Sequence, residues 1–383
     1  MPVRKIYLDY NATTPVSSKA KEAALIAMQE AWANPGCGHE AGQKAKELVE
    51  DARGKLASLI GAKSKEIVFL SGGTEANNTV VLSIFPNLRQ TRGHFITSQI
   101  EHPSVLNPAI RLLEMGFDCT FLRVDKNGVV DPDDVKKAIR PDTCLISIML
   151  SNNELGTIEP IEEISRITRE RGILFHTDAS QAIGKIQVDV NHLGVDYLTI
   201  AGHKFYAPKG IGALYVRDGA PFFSLFYGGG QEGGRRPGTE PVPLIAALGE
   251  AAHEARVLLP EEIRRIRALR DTFFDLLKEK VSTDLTNNVD LNRCLPNTLS
   301  VRFKGVNGKH LLAASKLVLA TTGAACHAQN DSISHVLSSI GLGVEEAKGT
   351  IRFSLGRYTT KEDVELAAMD IASAVVKVLS VEF

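Results

Sequence analysis

From Glu66 to Ala201 the chain alternates between short apolar runs and amphipathic stretches, and that alternation most narrows its fold. The runs Glu66–Leu70, His94–Ser98, Cys119–Val124, Thr143–Leu150, Gly172–Thr177 and Asp196–Ala201 read as strands. Between them, helical patterns open after Ser71 and run over Pro103–Met115, Asp131–Ile139 and Pro160–Glu170. Strands that alternate with helices predict an α/β fold with a mostly parallel sheet covered on both faces. Several of the runs are almost wholly apolar, as strands buried on both faces should be. Such sheets bind their ligands at the carboxyl ends of the strands, so polar residues at those ends are the candidates for chemistry.

Outside this region the texture differs. Upstream, Ser17 can cap a helix to Trp32 whose alanines recur at helical spacing, and a second helix runs over Glu40–Ile60. Downstream, helical stretches at Ala246–Leu259 and Glu261–Val281 lead into a strand at Asn297–Phe303, a helix near His310–Leu317, a strand at Ile351–Leu355 and a helix from Lys361. This reads as a smaller α+β module. We expect a large domain over residues 15–257 and a small one over 258–383, with residues 1–14 returning to the small one. With a net charge of −1, nothing favours nucleic acid or an anionic membrane. No apolar run approaches a membrane span, and the strand-like start leaves no room for a signal peptide. The five cysteines, Cys37, Cys119, Cys144, Cys294 and Cys326, are scattered and lack metal-ligand spacing. That predicts a reducing, cytoplasmic setting and no metal site, with Cys119 and Cys144 as core fillers.

Five polar clusters stand at strand ends. In Gly202-His-Lys-Phe-Tyr206, Lys204 occupies a turn between the strand ending at Ala201 and another at Ile211–Val216. Desolvation disfavours an ammonium, and a neutral lysine attacks carbonyls to form Schiff bases. Ser71-Gly-Gly-Thr74 enters a helix start, where free N–H groups suit an anion, although alone such a pair is an ordinary turn. His102, in Glu101-His-Pro-Ser104, reads equally as a plain lead-in to a proline-initiated helix. Ser151-Asn-Asn-Glu-Leu-Gly156 gathers side-chain amides, and in His176-Thr-Asp-Ala-Ser-Gln181 a carboxylate directly follows a buried strand and needs a partner. A carboxylate, a Schiff-base lysine and a phosphate cradle are together what pyridoxal 5′-phosphate requires. The carboxylate keeps the ring nitrogen protonated, so that the ring can act as an electron sink.

Asp178-Ala-Ser-Gln181, Gly202-His-Lys-Phe-Tyr206, Gly228-Gly-Gly-Gln-Glu232, Pro237-Gly-Thr-Glu240 and Ile351-Arg-Phe-Ser-Leu-Gly-Arg357 carry a resemblance to the class V aminotransferase-fold family. It covers nearly the whole chain, and within the family it points to the cysteine desulfurase and selenocysteine lyase branch. The resemblance implies fold type I of the pyridoxal-phosphate enzymes. Lys204 would hold the cofactor and later move the Cα proton, Asp178 would pair with the ring nitrogen, Gln181 would bond the ring hydroxyl, and His102 would stack on the ring. Gly73, Thr74 and His203 would bind the phosphate, joined by Thr239 from a second subunit, which implies a homodimer. Asn153 and Arg352 would hold the carboxylate of an amino-acid substrate. Desulfurases usually have serine where this chain has Ala201, which removes one phosphate hydrogen bond.

Cys326 lies in Thr321-Thr-Gly-Ala-Ala-Cys-His-Ala-Gln-Asn-Asp-Ser-Ile-Ser334, a stretch of loop composition in which His327 can favour the thiolate. In the branch that this chain resembles, the loop cysteine takes the chalcogen from the substrate. Ala-Ala-Cys-His resembles the selenocysteine lyases. The expected reaction is therefore conversion of L-selenocysteine to L-alanine and selenide or selenium. The alternative is a cysteine desulfurase that carries sulfur as a Cys326 persulfide to an acceptor protein. The intact Lys204 and Asp178 speak against a catalytically silent scaffold, and transamination does not need a loop cysteine.

Overall fold

The computed structural model describes residues 4–87, 93–323 and 333–381. Its strands, in chain order, are β1 (Ile6–Tyr7), β2 (Ile67–Leu70), β3 (His94–Ser98), β4 (Asp118–Leu122), β5 (Thr143–Ser147), β6 (Leu174–Asp178), β7 (Tyr197–Ala201), β8 (Gly212–Val216), β9 (Leu285–Asn287), β10 (Thr298–Phe303), β11 (Val318–Leu319) and β12 (Thr350–Ser354). The seven-stranded sheet has the order β2-β8-β7-β6-β5-β3-β4. β8 pairs antiparallel to both neighbours and the other pairings are parallel, so six strands point the same way and the expected mostly parallel sheet is present.

Side-chain alternation along these strands builds two cores. Ile67, Phe69, Ile96, Ile146, Leu198 and Ile200 face one side, packed under the helices Ser18–Glu30 and Glu40–Leu59. Val68, Leu70, Phe95, Leu145, Tyr197 and Leu214 face the other, under the helices Gly73–Asn87 and Pro103–Glu114. Period-two alternation between two apolar faces is what a doubly covered sheet requires. Local chemistry sets the helix starts. Ser17 Oγ accepts from Ala20 N at 3.1 Å, and Asp131 caps the short helix Pro132–Ala138 through Asp133 N at 2.8 Å.

A third core belongs to the C-terminal part and gathers Phe273, Leu299, Val301, Phe303, Ile351, Phe353 and Ile371 around the three-stranded sheet β12-β10-β9. Ile6 and Leu8 join it, and β1 pairs parallel with β11. The two helical stretches expected after residue 246 are one helix, Val242–Lys280, with Pro260 inside it. Proline forfeits one backbone hydrogen bond there. The helix nevertheless continues, because its buried residues up to Ala255 pack in the large core and those from Ile266 onward in the C-terminal one. Cys119 and Cys144 are only partly buried, on β4 and β5, whereas Cys294 is fully buried.

Candidate active site

Five of the six co-directional strands, all but β4, deliver the sequence clusters to the carboxyl end of the sheet. Asp178 ends β6, Ala201 ends β7, and a single helical turn over Gly202–Lys204 follows. That turn is latched to the N-terminal segment. Thr14 N donates to His203 O at 3.0 Å, Tyr206 N to Thr14 Oγ1 at 2.8 Å, and Ser17 N to Tyr206 O at 3.0 Å. Tyr206 has φ of +73°, a strained value for a non-glycine residue. Its conformation is held by those bonds, by Arg357 N donating to its hydroxyl at 2.6 Å, and by the Arg357 guanidinium 4.2 Å above its ring.

Lys204, Asp178, Gln181, His102, Gly73, Thr74, His203, Asn153 and Arg352 all line one cavity of about 230 Å³. Lys204 Nζ donates to the carbonyls of Asn11 and Ala12 at 2.7 and 2.9 Å. Asp178 is buried and accepts from Asn77 Nδ2 at 2.7 Å and Ser180 N at 2.9 Å. His102 is a helix cap that also faces the cavity. It lines the cavity, and its Nδ1 accepts from Ser104 N at 3.1 Å as the cap of the helix Pro103–Glu114. Burial pushes the His102 imidazole below its usual range, with Lys204 adding to the shift and Asp178 opposing it. His203, against Thr13 Oγ1 at 3.1 Å, is pushed down to about 4 by burial and by the Lys204 amine. Both shifts favour the neutral imidazole. Arg352 Nη1 donates to Asn153 O at 2.8 Å and Nη2 to Asp9 Oδ1 at 2.6 Å.

The residues present fit pyridoxal phosphate. Asp178 forms no ion pair among the described residues, and a buried carboxylate braced by two N–H donors suits a cationic ring nitrogen. A Cβ at position 73 would come 3.0 Å from Ser180 Oγ and 3.3 Å from Ala201 Cβ, so glycine there keeps space open at the start of the helix Gly73–Asn87. Helix-start N–H groups with a neutral histidine offer donors to a phosphate. Buried Arg352 Nε has no partner among the described residues, which leaves a donor for a carboxylate.

Two expected site residues are not brought into this cavity. Thr239 is exposed and absent from its lining, and Cys326 lies outside the described residues. The described residues on either side of that stretch do adjoin the site. Arg352 N donates to Thr321 O at 2.8 Å, and His335 Nε2 lies 3.0 Å from Glu101 O. Sequence reading missed Asn11, Asn77, Ser104 and Ser180, which also line the cavity. Ser104 and Ser180 stand inside motifs already singled out, and a closer reading of each position could have found them. Asn77 carries no such signal, because its partner Asp178 is 101 residues away. Among the described residues, no three His, Cys, Asp or Glu side chains gather as metal ligands, and no helix is long and apolar enough to cross a membrane.

The class-V aminotransferase family model matches residues 6–366. Cysteine desulfurase IscS of Dictyoglomus turgidum is 46% identical over 378 positions, covering 98% of this chain and 95% of that protein. Selenocysteine lyase of Bos taurus is 41% identical over 415 positions, covering 98% and 94%. The solved structure of a NifS-like protein superposes with a TM-score of 0.91 at 35% identity, covering 97% of this chain and 100% of that one. That of SspA in complex with cysteine does so at 0.83 and 39%, covering 92% and 99%. Desulfurases and lyases stand side by side among these relatives, and the bovine lyase is less similar than the Dictyoglomus desulfurase, so the expected leaning toward the lyases is corrected to the level they share. With fold, cavity and relatives in agreement, the chain belongs to the class-V aminotransferase family, among its pyridoxal-phosphate-dependent, NifS-like cysteine desulfurases and selenocysteine lyases.

Proposed function

We propose that the chain is a cysteine desulfurase: it takes L-cysteine, releases L-alanine and carries the sulfur on Cys326. The observation that carries this reading is that the residues flanking the Cys326 stretch are bonded to the site, Thr321 to Arg352 and His335 to Glu101. Transamination has no use for a cysteine in the stretch that these two bonds bracket. Cysteine rather than selenocysteine is supported by the 46% identity to a desulfurase and by the cysteine bound in the SspA structure. Alignment with the bovine lyase also runs to 415 positions against 383 residues here, so that lyase has residues this chain lacks.

When bound, pyridoxal phosphate supplies the electron sink for bond breaking at the amino acid's α- and β-carbons. Asp178 would hold the proton of the ring nitrogen, His102 would stack on the ring, and Gly73, Thr74 and His203 would donate to the phosphate. Arg352 and Asn153 orient the substrate carboxylate, which places the Cα proton toward Lys204 Nζ. Lys204 takes that proton and returns one to carbon. The Cys326 thiolate attacks the substrate sulfur: an S–S bond forms, the C–S bond breaks with its electron pair left on carbon, and a proton replaces the sulfur there. The products balance as alanine and a Cys326 persulfide, which passes to an acceptor protein.

The second reading, selenocysteine lyase, rests on Ala324-Ala-Cys-His327. Alanine release from L-cysteine and L-selenocysteine, measured anaerobically in parallel, decides between them. The expected result is turnover of cysteine with one added sulfur on Cys326 by mass spectrometry, abolished in Cys326→Ala. Alanine from selenocysteine alone, with no persulfide, establishes the lyase. Borohydride reduction and peptide mapping place the pyridoxyl group on Lys204; label on another lysine refutes the site.

A further inference from the structure

One amine beside the cavity is used by no step above. Lys185 does not line the cavity but is bonded to Gln181, which does. Its Nζ donates to Gln181 Oε1 at 2.6 Å and to Asn11 Oδ1 at 3.0 Å. Gln181 Nε2 in turn donates to the Asn11 carbonyl at 3.0 Å, the same oxygen that accepts from Lys204 at 2.7 Å. Asn11 is fully buried and otherwise committed: its Oδ1 accepts from Asn297 Nδ2 at 3.0 Å, and its Nδ2 donates to Thr298 Oγ1 at 2.9 Å. Asn11 is therefore a fixed post to which both lysines and Gln181 are tied.

The two contacts of Gln181 constrain it in the same sense. An amide side chain has an acceptor end and a donor end of nearly equal size, and its function depends on which end faces where. A carbonyl oxygen can only accept, so the Asn11 contact demands the NH₂ group. Lys185 offers N–H donors to two oxygens, and even a neutral amine has two hydrogens to give, so that contact demands Gln181 Oε1. With Oε1 and one N–H engaged, the second N–H of Gln181 is left for the cavity that Gln181 lines.

We propose that Lys185 is a positioning residue that locks the Gln181 amide with its N–H toward the ring oxygen of a 3-hydroxypyridine. The inference rests on the reading of Gln181 as the partner of the cofactor's ring hydroxyl. That oxygen is an acceptor when ionised, and a Gln181 flipped to present Oε1 would repel it. Burial holds the Lys185 amine well below the ordinary lysine range, and the nearby Lys204 and Arg352 charges add to the shift.

The test measures binding of pyridoxal 5′-phosphate and of 3-deoxypyridoxal 5′-phosphate, which lacks the ring hydroxyl, to the cofactor-free full chain. Lys185→Met keeps an unbranched side chain one atom shorter and removes its donor. It is expected to bind pyridoxal phosphate about tenfold more weakly, the scale of one hydrogen bond, and to bind the deoxy compound as the parent does. Gln181→Ala should show the same selectivity, and the double variant should be no weaker than Gln181→Ala. Equal loss for both aldehydes, or no loss, overturns the role of Lys185. If Gln181→Ala discriminates and Lys185→Met does not, the inference falls while the assignment of Gln181 stands; if neither discriminates, both fall. Should Lys185→Met not fold, Lys185→Gln serves, since its amide can offer Gln181 either end, and a smaller but still hydroxyl-dependent loss is expected.

Discussion

Glu101 precedes the histidine that caps the helix Pro103–Glu114, and its carboxyl is buried. Oε1 accepts from Ser98 Oγ at 2.7 Å and from Met149 N at 2.9 Å, while Oε2 has no partner among the described residues. Burial pushes this carboxyl up to about 8, with the Asp178 and Glu159 charges adding to the shift. The folded chain then holds a proton that the unfolded chain releases near 4.5. Between those two values the folded state binds more protons, so stability falls as pH rises. Glu101→Gln keeps the Oε1 acceptor and removes the titration. Its melting temperature should fall less than the parent's from pH 5 to pH 8, and parallel curves would refute the assignment. Glu159, also raised to about 8, titrates in both proteins and cancels in the comparison. Arg352 is the counterpart among the bases. Its two Nη groups are fixed on Asn153 and Asp9, and a lysine there would replace a planar fork by a point charge. Arg352→Lys should cost about 1.5–3 kcal/mol in kcat/KM, the range for hydrogen bonds to charged groups, chiefly through a raised KM. An unchanged KM for the amino acid would remove Arg352 from the carboxylate site.

Among the elements, the loop Gly228–Thr239 looks in sequence like a glycine-rich, charged segment with no role in the core, and there the reading fails. Glu232, at φ of +51°, turns its carboxylate inward against the open edge of β2. It accepts from Phe69 N at 2.8 Å and, two-pronged, from Arg53 Nη1 and Nη2 at 2.8 Å each. Arg53 also donates to Ile67 O at 3.0 Å and lies 4.6 Å above the Phe69 ring. The pair covers an edge whose backbone groups would otherwise be unsatisfied. Glu232→Ala would leave Arg53 with Glu50 and the Ile67 carbonyl but remove the acceptor of the buried Phe69 N and of two guanidinium N–H groups, so a loss of about 1–3 kcal/mol in urea unfolding is expected. A loss near zero would mean that water replaces the carboxylate. What was legible and what was not divide along the same line. Helix starts at Ser17 and Asp131, the doubly buried strands, and the strand-end positions of His102, Asp178 and Lys204 are all written in neighbouring residues. Arg53 and Glu232 are 179 residues apart, and Lys185 and Asn11 are 174 apart, so nothing local announces them. The strands Leu285–Asn287 and Val318–Leu319 are too short to show a period, and Pro260 read as a helix end because its cost is local while the packing that outweighs it is not.

At the scale of the whole molecule, the end of the cavity proposed to hold the phosphate bears on the number of subunits. Gly73, Thr74 and His203 line it from within one chain, yet Thr239 is exposed and does not. The loop bearing Thr239 is anchored at Glu232 and at Arg236, whose Nε donates to Glu75 Oε1 at 3.0 Å, so its tip is presented outward from a fixed base. Tyr227 at 96% exposed and Trp32 at 76% are large apolar side chains of the kind a partner surface covers. A twofold dimer would let each Thr239 reach the other subunit's phosphate, and such an exchange is reciprocal by symmetry. Complementation between two inactive variants is expected. Lys204→Ala removes the amine but keeps a sound Thr239, and Thr239→Asp sets a carboxylate against the phosphate but keeps a sound Lys204. Each homodimer should be inactive. In a randomly mixed dimer one of the two sites combines the intact Lys204 of one chain with the intact Thr239 of the other. Half the dimers in an equimolar mixture are hybrids with one good site in two, so about a quarter of parental alanine release should return. If mass spectrometry of the intact assembly shows the hybrid and no activity returns, Thr239 serves its own subunit or none.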